Sequence, residues 1–359
     1  MSRACAMVLT LASLSIVPGG SPDAGIASRV PLGQAHASLP RSTGSAPTGA
    51  DPAGRLGDPD AARRAEAACA AAAMGSPAAN GSVDALVSLL ADETRVAAPE
   101  CGAPSWERDG VFGIGEQWRT CTTSPAFEAA RALAALGRIA FEPLLGALGG
   151  TNAVVRRYAA LALGQGGDTR AVRPLQGVLG DTGWEVRLEA VRALGRLHAA
   201  PASPSIVARL KDDAPQVRAA AAGALGEIGA GPAVPALVGA LEDPDWQVRT
   251  KAAWALGQYE SAAAADRLAE RLRDDHAEVR AMAAWALGEI GEARVVPALG
   301  GALGDATPRV RSKAAWALGQ IGDARALPAL AAALKDSHAE VRQMAAWALG
   351  EIGPGAQAQ

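Results

Sequence analysis

The chain has 359 residues, 49% of them apolar but only 4% aromatic, with 34 basic side chains against 37 acidic ones and a net charge of −3. Both signs are interspersed, so the basic stripe that a nucleic-acid binder needs is missing and no nucleic-acid partner is expected. No apolar run reaches the about 18 residues of a membrane span, so none is expected in the body of the chain.

Arg3 precedes an apolar stretch from Ala4 to Val17, Pro18-Gly19-Gly20 breaks it, and Gly25-Ile26-Ala27 offers small residues for cleavage. Residues 1–27 therefore read as a secretory signal peptide, which points to a secreted or periplasmic protein. A disordered leader is the plainer alternative and would leave the protein in the cytoplasm. Residues 28–57 are rich in Pro, Gly, Ser and Thr without periodicity and read as a flexible linker.

From Asp58 a weak repeat begins. Asp58-Pro59-Asp60 opens a helix running to Met74, and Val83 to Leu90 makes a second. An inserted loop at 97–124 interrupts, carrying Cys101, Trp106, Glu107, Arg108, Asp109, Trp118 and Cys121. Long loops in compact arrays often have a function, so it is a secondary candidate for the working part. A helix over 126–137 follows, then a shortened hairpin around Pro143-Leu144-Leu145. If Cys5 leaves with the leader, Cys101 and Cys121 are the candidate disulfide and Cys69 is the buried thiol left over. No Cys-x-x-Cys or Cys/His spacing suggests a metal, and no cofactor is expected.

From about residue 150 to Gly353 the chain places a Val-Arg pair followed by Leu-Gly seven times, at an interval of 31 residues. The valines are Val155, Val186, Val217, Val248, Val279, Val310 and Val341. Each unit reads as two helices. The first has an apolar stripe (Val296, Leu299, Leu303) and often an early proline (Pro204, Pro235, Pro297, Pro328). The second starts near the Val and ends at a glycine suited to a left-handed C-cap: Gly229, Gly291, Gly322 and Gly353. The Gly nine positions after each Val lies inside this helix, where it costs about 1 kcal/mol relative to Ala. Its recurrence implies that a neighbouring backbone comes too close for a side chain. An unbroken period of this length marks a stacked solenoid, so the fold class is all-α, an α-solenoid superhelix over 58–353 with a tail at 354–359.

Segments such as Val310-Arg-Ser-Lys-Ala-Ala-Trp-Ala-Leu-Gly-Gln-Ile-Gly322 resemble HEAT repeats of the short class, named for bilin-lyase subunits and also copied in artificial repeat scaffolds. On a helical wheel at about 100° per residue, the Arg after each Val falls inside the buried arc. A buried guanidinium needs a partner, and an Asp precedes each Val by five residues. The resemblance implies a ladder between adjacent repeats, formed by Asp181, Asp212, Asp243, Asp274, Asp305 and Asp336 with Arg187, Arg218, Arg249, Arg280, Arg311 and Arg342. Six identical copies make these pairs architecture and not catalytic candidates.

Positions +3, +6 and +10 from the Val fall opposite the core and are expected on the inner surface. In the last four repeats +6 is Trp254, Trp285, Trp316 and Trp347. Position +3 reads Lys251, Met282, Lys313, Met344, and +10 reads Gln258, Glu289, Gln320, Glu351. The stripe thus alternates with a period of 62 residues, so a two-repeat block has duplicated. Aromatics on an open face point to a partner, and in the artificial scaffolds the corresponding positions are those varied to create binding sites. Packing of each ring against the next repeat, or passive copying, is the bland alternative.

The expectation is a non-enzymatic scaffold holding a protein or peptide along its concave face. An enzyme is the alternative. Deoxyhypusine hydroxylase shares the architecture, but its family binds iron through His-Glu dipeptides, whereas His36, His198, His276 and His338 are each followed by Ala. A bilin-lyase role rests on the family name alone. The last repeat is a near copy of internal ones, so end-to-end self-association is a further expectation.

Overall fold

The computed structural model of the protein describes residues 52–74, 80–97, 122–229 and 231–355. The leader, most of the linker and the interruption between 98 and 121 lie outside these residues, as do Cys101, Cys121, Trp106, Glu107, Arg108, Asp109 and Trp118. The linker ends sooner than residue 57, because Pro52–Arg55 form a short helix (α1) and Leu56 beside it is buried. Helices α2 (Ala61–Met74) and α3 (Val83–Leu89) follow the sequence reading. The interruption is closed at its base by two short strands, β1 (Val96–Ala97) and β2 (Thr122–Thr123), paired antiparallel with Val96 opposite Thr123. Helix α4 (Pro125–Leu136) leads through Gly137 at φ 56° into α5 (Arg138–Leu148). The shortened hairpin expected around Pro143 is one continuous helix, with Pro143 inside it.

From α6 (Ala153–Gln165) the regular array runs through α7 (Val172–Gly177), α8 (Trp184–Arg196), α9 (Ser203–Arg209), α10 (Pro215–Ile228), α11 (Val234–Ala240) and α12 (Trp246–Gln258). It continues through α13 (Ala265–Arg271), α14 (Ala277–Ile290), α15 (Val296–Ala302), α16 (Pro308–Ile321), α17 (Leu327–Ala333) and α18 (Ala339–Gly355). Odd-numbered helices are the short first helices of each unit; even-numbered ones are the longer second helices. Each even-numbered helix packs along its length on the next, whereas the odd-numbered helices touch one another little. The even-numbered helices thus form one closely packed row and the odd-numbered helices a looser second layer. The core between the layers is alanine and leucine: Leu256, Leu287 and Leu318 have no exposed surface, nor do Ala253, Ala284 and Ala315.

The internal glycine has the expected cause. A Cβ built on Gly288 would lie 2.9 Å from Ala317 Cα, and one on Gly257 3.0 Å from Ala286 Cα. No side chain fits there, so the backbones of consecutive even-numbered helices touch. Gly229, Gly291 and Gly322 adopt the left-handed cap at φ 73–74°. Gly353 does not: α18 continues through it to Gly355. Two repeats lack the cap glycine, and there His198 and Glu260 are forced to φ 46° and 47°, a region that costs a non-glycine residue about 1–2 kcal/mol.

Cys69 also departs from expectation. It is buried in α2, but it is engaged in a disulfide and is not a spare thiol. Its partner lies outside the described residues.

Candidate functional site

The expected ladder is present. Arg187 reaches forward to Asp212 of the next repeat, Nε to Oδ2 at 2.9 Å and Nη2 to Oδ1 at 2.7 Å. Arg218–Asp243, Arg249–Asp274, Arg280–Asp305 and Arg311–Asp336 repeat this two-pronged contact at 2.7–3.0 Å. Each Arg also donates Nη1 to the carbonyl of its own repeat's Asp, as in Arg311 to Asp305 O at 2.8 Å. Each Asp in turn accepts the backbone N–H two residues on, as Asp274 does from His276 at 2.9 Å. The ladder's guanidinium and carboxylate groups are thus paired with each other and with the turn backbone, which is the condition under which a buried ion pair is tolerated. The Arg156 hydrogen bonds hold the Asp181 carboxyl below the usual carboxylate range, and those of Arg311 do the same for Asp336.

The ladder extends further toward the start of the chain than the sequence reading placed it. Arg156–Asp181 at 2.7 Å and Arg64–Asp92 at 2.8 Å belong to it. Arg342 does not complete a rung: its Nη1 holds the Asp336 carbonyl, but among the described residues no carboxylate meets the rest of its fork. One internal rung is also absent. The first turn of α4 has buried Glu128, bonded to Thr123 and Arg131, in place of an arginine, and Gly150 stands where the following repeat would carry its aspartate.

Along the even-numbered helices, the +10 side chains Gln258, Glu289, Gln320 and Glu351 are exposed as expected. The +3 and +6 side chains are not freely exposed: Lys251, Met282, Lys313 and Met344 are half-buried, and so are Trp254, Trp285, Trp316 and Trp347. The reason is the internal glycine. The Cζ3 edge of each ring lies over the glycine of the preceding repeat, 2.5–2.7 Å from where a Cβ on Gly226, Gly257, Gly288 or Gly319 would be. The rings therefore both pack between layers and reach the surface. None of the four indole N–H donors has an acceptor among the described residues, and none is sealed from solvent. Lys251 and Lys313 hold their Nζ 5.9 Å from the ring centres of Trp254 and Trp316.

Where the row of indoles begins, a feature unread in the sequence appears. The +6 residue of α10 is Gly223, so no ring covers Gly195, and the Glu227 carboxylate fills that place, 2.6 Å from the position of a Cβ on Gly195. Burial pushes Glu227 up to about 7 despite nearby Arg196, His198 and Lys251. Burial equally pulls the Lys251 ammonium down. The signal was Gly223 at a position that is Trp in the next four repeats, but the wheel alone did not say what would move into the gap. At the turns, His276 stacks on Trp246 at 4.0 Å with an interplanar angle of 5°, whereas exposed His338 meets Ser337 Oγ at 2.9 Å. Among the described residues no group of three or more His, Cys, Asp or Glu side chains could hold a metal ion, and no helix is long and apolar enough to cross a membrane.

The paired helices, the bonded turns and the row of even-numbered helices define a helical repeat scaffold. The family model for HEAT repeats matches residues 141–214, 203–281 and 268–350, and the chain belongs to that family. Among solved structures it is similar to YibA of Escherichia coli, with 25% identity, a TM-score of 0.53, and coverage of 70% of this chain and 93% of that one. It also matches the complex of CpcE and CpcF of phycocyanin lyase from Nostoc, with 25% identity, a TM-score of 0.42, and coverage of 60% and 87%. Human deoxyhypusine hydroxylase in complex with glycerol matches with 26% identity, a TM-score of 0.32, and coverage of 77% and 97%. No curated protein matches the chain.

Proposed function

We propose that the protein is a non-enzymatic scaffold that holds a protein or peptide partner along its concave face, anchored by Trp254, Trp285, Trp316 and Trp347. The observation that carries this is the row of four half-buried rings in register, whose indole N–H groups have no protein acceptor among the described residues and reach solvent. Tryptophan in such a setting combines large apolar contact with a polar handle, the combination enriched at binding hot spots. Glu289, Glu351 and Lys313 set the charge a partner must match. The ladder carboxylates are each held by an arginine and serve the stacking of repeats.

The experiment is site-specific photo-crosslinking. A benzophenone side chain at exposed Gln320 is compared with one at Arg267 on the odd-numbered helix α13, in the cell that makes the protein. Adducts of one defined partner at Gln320 and not at Arg267 are expected. Equal labelling at both positions, or none at either, sinks the reading.

A further inference from the structure

We propose that the occupant of the indole row is a proline-rich segment in the polyproline II conformation, lying across α12, α14, α16 and α18 with one turn per repeat. This rests on the reading of the row as a docking face. Spacing is the first argument. Packed helices lie about 8–10 Å apart, and the backbone contact of Gly288 with Ala317 places these toward the lower end. Three such steps separate Trp254 from Trp347, about 24–30 Å in all. A polyproline II helix rises about 3.1 Å per residue with three residues per turn, so one turn of about 9.3 Å falls within the about 8–10 Å step and turns nearly the same face to successive rings. An α-helix returns to one face about every 5.4 Å, and its two-turn interval of about 10.8 Å overshoots the about 8–10 Å step between rings. A β-strand turns alternate side chains away and repeats a face every about 6.7 Å, which fits no ring-to-ring step.

Hydrogen bonding is the second argument. A polyproline II backbone makes no internal hydrogen bonds, so its carbonyls are free acceptors. The four indole N–H groups are donors without acceptors among the described residues. Aromatic faces flanked by such donors are how Pro-rich segments are recognised elsewhere. Charge is the third. At position +10, carboxylates recur only on alternate repeats, Glu289 and Glu351, with Gln320 between them. Two repeats correspond to two turns, so the segment carries basic side chains about six residues apart.

The test is calorimetric titration of the full chain with a 16-residue peptide that has proline at every third position and lysine at every sixth. A scrambled peptide of the same composition and an amphipathic helical peptide of the same length are the comparisons. The proline peptide is expected to bind at one per chain, while the scrambled one does not. Glu289→Lys with Glu351→Lys, both exposed and harmless to folding, weakens it about tenfold, and replacing the peptide lysines by glutamate restores it. Binding of the scrambled peptide at equal strength, binding of the helical peptide instead, or binding of none overturns the polyproline assignment. The docking face itself survives those results if Gln320 still crosslinks a partner, and falls only if that labelling fails.

Discussion

The internal glycine supplies a prediction in which one substitution changes sign with position. In Gly288→Ala the new Cβ meets Trp316 Cζ3 at 2.7 Å, Ala317 Cα at 2.9 Å and Ala317 Cβ at 3.0 Å. Carbon atoms sit comfortably at about 3.5–4.0 Å, so α16 must shift bodily, because one of the blocking atoms is backbone. Overpacking of this kind costs about 1–3 kcal/mol, here about 3, and better helix propensity returns about 1. The net loss is about 2 kcal/mol, or roughly a thirtyfold change in an opening equilibrium. Gly350→Ala introduces the same methyl with nothing within 4 Å, so it keeps the propensity gain of about 1 kcal/mol. Long arrays do not unfold in one step, so the assay is amide hydrogen exchange resolved by helix. Protection should fall in α14 and α16 for the first variant and rise in α18 for the second. Changes of the same sign in both variants would refute the claim that backbone approach keeps this glycine.

Glu260→Gly should stabilise the unit of α12 and α13 by about 1 kcal/mol by relieving a left-handed non-glycine residue, visible as slower exchange there. Arg280→Lys keeps the charge but loses the two-pronged hold on Asp305, so exchange in α14 and α16 should quicken by the equivalent of about 1–3 kcal/mol. The pH dependence has two opposed limbs. Glu227, raised to about 7, keeps its proton when folded but loses it near the ordinary carboxylate pKa when unfolded, so stability falls as pH rises from about 4.5 to 7. The carboxyls of Asp181 and Asp336 are lowered, so their contribution is present above about pH 4 and is lost as pH drops below it. Denaturation monitored by circular dichroism should therefore show greatest stability between these limbs. In Glu227→Gln the decline toward neutral pH should vanish while the acid limb stays; a decline that persists would show that another group causes it.

Much of this was legible in the sequence because the repeat makes each signal speak seven times. The period gave the array; the constant Asp–Val–Arg spacing offered a partner for the buried arginine, and the resemblance to HEAT repeats implied that the two form a ladder. What escaped was whatever depends on two repeats at once. A wheel treats one helix alone, so it placed Trp285 on the open face and left packing against the next repeat as the alternative. The ring's edge sits over Gly257 because helical side chains lean toward the preceding turn and the neighbouring backbone leaves space only there. Glu227 was missed for the same reason: its burial is a consequence of Gly223, four residues earlier, and of Gly195 in the preceding repeat. Non-glycine caps at His198 and Glu260 went unnoticed because the glycines at the equivalent sites explained the pattern well enough.

The vacant rung between α4 and α6 has a mechanical consequence. Guanidinium and carboxylate are absent there together, and α4 also packs on α6 less extensively than other neighbouring even-numbered helices pack on each other. Along an otherwise uniformly riveted rod this joint is the weakest bond line. Under tension, or under attack by a protease, the chain should part between residues 136 and 153 first. The segment before that line would fray as one block while the indole-bearing half stays whole.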